Sequence, residues 1–200
     1  MPTLSYTPPA YTPANVIFGT GILFTAAVGT SVPSDANLGV GSAWTGLGWA
    51  YVGALLDGVT VTFAPTTQNI MVEEQPTPVG VAISTATLTF TANMSEETLQ
   101  NVNLAWGNAG SIAVTAAGAG QPGKSVLTLS TNFANVAAAI VGKNTAGFAG
   151  VLQIPNMISA GQVQTAYRRA AQQRVYPLTL NSVCPFNSIT WTYLTNPATS

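Results

Sequence analysis

The sequence predicts a mainly β domain with one principal helix on its flank, at about residues 96–106, and an extended arm at its N-terminus. Three observations predict it: apolar residues alternating with threonine, a single well-capped helical segment, and a Pro-rich opening. The first fifteen residues, "MPTLSYTPPAYTPAN", carry too many prolines to pair inside a sheet and read as the arm. Val59, Val61 and Phe63 then alternate with Thr60 and Thr62 in a strand expected to end at Pro65. In "STATLTFTA", Ala86, Leu88, Phe90 and Ala92 share one face, and Thr85, Thr87, Thr89 and Thr91 share the other.

The helix follows in "NMSEETLQNVNLAWG". Ser95 reads as its N-cap, with Glu96 and Glu97 in the first turn where the helix dipole favours them. Met94 and Leu99 stand at staple positions, Gly107 marks the stop, and Leu99, Val102 and Trp106 form an apolar stripe. Farther on, "SIAVTAA" and "SVLTLSTNF" read as strands, and "ANVAAAIVG" at 134–142 as a second, short helix. The stretch "QVQTAYRRAAQQRVY" is ambiguous, with strands and a bend preferred. Leu178 and Leu180 after Pro177, and then Ile189, Trp191 and Tyr193, make the last strands. Residues 16–200 thus read as one domain, with 110–165 as an inserted or loop-rich segment.

Between the two central strands lies "GAGQPGKS", residues 118–125, which fits the nucleotide-binding pattern at Gly118, Gly123, Lys124 and Ser125. That chemistry needs the loop to open a helix whose N–H groups cradle phosphates, and an acid to hold magnesium. Ser125 leads into a strand pattern, and no Asp or Glu follows Glu97. The match is expected to be chance, the loop a hairpin connection rich in turn residues. No cofactor or metal site is expected.

Composition narrows the remaining classes. With no histidine and one cysteine, Cys184, the chain can hold no His-based triad, His-based zinc site or internal disulfide. No catalytic residue is expected, because the acids are few and Glu73–Glu74 and Glu96–Glu97 are sequence neighbours whose side chains diverge. At 47% hydrophobic the chain can build a core, yet only 6% is charged, well below the ~25% of ordinary soluble domains. Either the surface is neutral and polar or, the preferred reading, other subunits cover much of it. The apolar run at 14–29 is short of the ~20 residues that span a bilayer, and the Gly-rich run at 39–56 is diluted, so both read as buried strands and turns with no membrane partner.

All six acids fall between Asp35 and Glu97 and all five bases between Lys124 and Arg174. The two halves either neutralise each other within one chain or pair across copies, Glu73 or Glu74 of one with Arg168, Arg169 or Arg174 of another. A net charge of −1 argues against tight nucleic-acid binding.

The order of motifs resembles the major tail tube proteins of long-tailed, siphovirus-type bacteriophages, especially those of actinobacteria. The residues that carry it are "GTGILF", "GTSVP", "LGW" before "DGVTV", the strand into "SEETL", and "RVYPLTLNSV", chiefly 16–107 with 174–183. The resemblance implies a β-sandwich/barrel tail-tube fold that assembles into stacked hexameric rings. Through their lumen genomic DNA would leave the capsid without specific binding. It also implies a virion location after assembly in the host cytoplasm, with tape measure, terminator and distal tail proteins as partners. The face of Thr85, Thr87, Thr89 and Thr91 is the candidate lumen lining. Another virion structural protein (head or decoration) or a cell-surface β-sandwich module is the alternative.

Overall fold

A computed structural model describes residues 17–144, 148–164 and 174–194. The expected N-terminal arm, residues 1–15, and both Arg168 and Arg169 lie outside these. The described chain is mainly β. An antiparallel sheet of eight strands has the order β2-β1-β7-β8-β9-β4-β3, with β10 also pairing β8, and a separate hairpin is made of β5 and β6. The strands are β1 (Ile17–Ala27), β2 (Ala50–Tyr51), β3 (Leu55–Val72), β4 (Gln75–Met94), β5 (Ser111–Thr115), β6 (Lys124–Thr128), β7 (Asn135–Asn144), β8 (Ala149–Ser159), β9 (Tyr176–Ser182) and β10 (Thr190–Tyr193). Among the described residues the sheet does not close into a barrel; β2 and β3 are its two ends.

The centre of the sheet is apolar on both faces. Towards one face Leu23, Ala138, Leu152 and Ile154 join Phe90, Met94, Leu178 and Leu180, so strands from both ends of the sheet share one core. Towards the other, Phe24, Ala137, Ala139, Val141 and Val151 pack under Trp44 and Trp49. Trp44 sits on the six-residue helix α1 (Gly41–Gly46), stacks on Phe24 at 5.3 Å and meets Trp49 edge-on at 5.1 Å. Each indole N–H donates to a backbone carbonyl, Trp44 to Leu38 and Trp49 to Ser31, both at 2.8 Å, which satisfies the polar atoms that burial would otherwise strand. The Gly-rich run at 39–56, expected as strands and turns, therefore includes this short helix.

Residues 134–142 are not a helix. They belong to β7, hydrogen-bonded between β1 and β8, with Ala137, Ala138 and Ala139 at most 1% exposed. Their small side chains leave room for the indoles on one face and the main core on the other. Tertiary packing overrides the helix propensity of alanine. The stretch 110–165 accordingly divides in two: 111–128 is the small separate hairpin, and β7 and β8 run through the middle of the main sheet.

The principal helix, α2, spans Leu99–Ala105 and starts later than expected. Its N-cap is Thr98, whose hydroxyl accepts from Asn101 N–H at 3.1 Å, and not Ser95. The reason lies across the fold. Ser95 N–H still donates to Ala54 C=O at 2.9 Å, and the Glu96 carboxylate accepts from Ala54 N–H at 2.9 Å, so residues 95 and 96 stay tied to the 53–54 loop. The helix buries Asn101 and Ala105; Trp106 is 46% exposed and leaves the expected stripe, while Met94 lies in the sheet core. Asn101 donates to Val52 C=O at 2.8 Å and Glu96 C=O at 3.0 Å, fastening the helix to the same loop.

Gly107 does end the helix. At φ +60° it lets its own N–H reach Leu104 C=O and the next N–H, of Asn108, reach Asn103 C=O. A Cβ there would also stand 2.6 Å from Ser159 O.

Candidate functional site

The longest elements are β3, with 18 residues, and β4, with 20, joined by the two-residue turn Glu73–Glu74. At ~3.3 Å per residue β3 approaches 60 Å, longer than the diameter of an ordinary domain of this size. Only Thr89–Met94 of β4 pair with β9; the rest of β4 pairs with β3 alone. The strand β3 also continues through Pro65, which pairs opposite Ala86 and was expected to end it. Proline is tolerated because β3 is the last strand of the sheet, where one side has no ladder to donate to.

The outer part of this hairpin is a two-stranded ribbon. It bears large apolar side chains in the open: Ile70, Met71, Val72, Val79, Val81 and Ile83, the last 64% exposed. At the register shift between Thr66 and Thr67, Ser84 Oγ donates to Thr66 C=O at 3.1 Å, marking a bulge between the base and the outer arm. A two-stranded ribbon alone in water is marginal at best, and edges left open invite further pairing. The sequence reading missed this arm, although its signal is present: apolar residues crowd both sides of the acidic "EE" in "NIMVEEQPTPVGVAI".

The hairpin base separates two chemistries. Leu88, Phe90 and Ala92 are buried on one face, with α2 packed over the same core through Ala105. On the opposite face, Thr85, Thr87, Thr89 and Thr91 stand across from Thr66, Ala64, Thr62 and Thr60 in turn, and Thr91 and Thr89 across from Thr179 and Asn181 of β9. Thr85 and Thr87 are exposed, Thr89 and Thr91 half-buried, and Thr89 Oγ1 donates to Asn181 Oδ1 at 2.9 Å. The result is an uncharged hydroxyl-rich surface three strands wide.

Among the described residues, Glu73 and Glu74 are not brought to Arg174. Glu73 and Glu74 form the tip of the arm. Arg174 is held by Glu97 at 2.9 Å, and Glu97 also accepts from Tyr176 Oη at 2.9 Å. Here the acidic and basic halves do neutralise each other internally, through Glu97, which the sequence places with Glu96 in the first turn of the helix.

The loop bearing Gly118, Gly123, Lys124 and Ser125 joins two strands. Lys124 opens β6 opposite Thr115, with a bridge between Gly118 and Gln121. A strand follows Ser125 where a phosphate cradle uses a helix N-terminus. Among the described residues no three His, Cys, Asp or Glu side chains converge. No helix in them is long and apolar enough to cross a membrane.

Comparison with known proteins finds no matching family model and no matching curated protein.

Proposed function

We propose that this chain is a structural subunit of a bacteriophage tail tube, assembling as hexameric rings that stack around a DNA conduit. The observation that carries the reading is the outer hairpin: a ribbon with apolar side chains exposed and edges open, whose natural partners are other copies of itself. The low charge and the resemblance in the order of motifs support the same reading. In the assembled tube the open sheet contributes its strands to a sandwich/barrel tail-tube fold closed between subunits. The threonine face lines the lumen. Hydroxyls bind water and carry no charge, so passing DNA meets neither cationic hooks nor counterion release that would hold it. Tape measure, terminator and distal tail proteins are the partners at the ends and interior of such a tube, in the virion.

Negative-stain electron microscopy of the full chain at rising concentration tests this. Rings or hollow tubes with six-fold end views are expected. A monomer at every concentration, or particles of another symmetry, would count against it.

A further inference from the structure

At the other end of the strand order from the hairpin arm, the edge strand leaves an apolar groove open. Because β2 pairs only with Phe24 and Thr25, most of the eleven-residue edge of β1 is left without it. Beside that edge lies an open groove of about 310 Å³ lined by Ile22, Phe24, Gly41, Ser42, Thr45 and Tyr51. Ile22 and Tyr51, 41% and 53% exposed, also border a second hollow of about 230 Å³ towards Gly58.

One cation lies on the α1 side of the sheet, near Gly39. Lys143 lies on β7 two residues beyond Val141, which pairs with Ile22 and packs on the α1 side of the sheet. Its Cε is 3.5 Å from where a Cβ on Gly39 would be, just ahead of α1. Lys143 is exposed and has no ion-pair partner among the described residues. The arm presents the complement: apolar side chains over its outer length and two acids at its tip, Glu73 and Glu74, also unpaired among the described residues. The other described cations are less suited, since Arg174 is held by Glu97 and Lys124 sits on the separate β5–β6 hairpin.

We propose that the outer arm of one copy seats in the α1 groove of a second copy, with its Glu73–Glu74 turn beside Lys143. The proposal rests on the tail-tube reading for the nature of the partner. Arm and groove are different surfaces of one chain, so the contact is head-to-tail. It leaves a free arm and a free groove at each end, and propagates until it closes a ring or extends a filament. Apolar contact supplies the affinity, and the charges set the register.

Two full-length preparations, both carrying Cys184→Ser, test it: one with Val72→Cys, the other with Ser42→Cys and isotopically labelled. Mixed under assembling conditions and oxidised, they should give a mixed disulfide dimer in severalfold excess over the like-with-like dimers. In addition, Glu73→Lys with Glu74→Lys should raise the concentration needed for assembly about fivefold, as expected for roughly 1 kcal/mol of exposed pairing. Adding Lys143→Glu to that variant should restore it. Six-fold tubes without the mixed dimer and without the charge rescue overturn the groove assignment and leave the tube reading standing. A mixed dimer in particles that are not six-fold upholds the groove and overturns the tube. Monomer throughout, with no dimer, overturns both.

Discussion

The body of the sheet and its outer hairpin are built from the same kind of sequence, β-branched and apolar residues in extended runs, yet they end in opposite environments. In the body, β7 is flanked by strands on both edges and covered on both faces, and Ala137 to Ala139 are sealed from water. In the arm, Val81 and Ile83 are more than 60% exposed, and among the described residues the ribbon has no third strand. The difference teaches where each region's stability originates. The body is held by its own buried contacts, whereas the arm leaves its apolar surface in the open, where another molecule could cover it.

Substitutions can sharpen or break that contrast. The largest effect is expected at Phe90, 1% exposed where both ends of the sheet meet: Phe90→Ala should cost about 3–5 kcal/mol in urea unfolding of the monomer. Next is Gly107→Ala, which combines a positive φ with a clash at Ser159 O and should cost about 1–3 kcal/mol by the same measurement. Thr98→Ala removes the observed cap and should cost about 1 kcal/mol, with Ser95→Ala near neutral; the reverse order would restore the earlier helix start. The smallest effect belongs to the arm: Ile83→Thr should shift monomer stability by less than about 0.5 kcal/mol while weakening assembly seen by light scattering. An arm substitution that destabilised the monomer as much as Phe90→Ala would erase the distinction between the two regions.

Much of this was legible locally. The faces of 84–92 followed directly from their period of two, because one side is buried and the other is not. The strand at 134–142 was not legible as a strand. A segment buried on both faces has no alternation to read, and its alanines mimic a helix. The helix start was misplaced because its determinant is a hydrogen bond from Ala54 to Glu96, 42 residues apart in sequence. Of the candidate site, the threonine face could be read in advance. The engagement of Arg174 by Glu97, 77 residues away, depends on how β9 is laid against β4 and has no local signature.

The continuity of β4 has a mechanical consequence. One strand runs without a break from beside the acidic turn to Met94 at the centre of the core, and it is clamped to β9 by six registered pairs, Thr89 to Met94. A tug on the tip along the strand therefore loads those rungs together in shear, instead of peeling them open one at a time. In the proposed head-to-tail assembly the arm would act as a tie-rod anchored in the core, carrying tension through folded cores and not through flexible linkers.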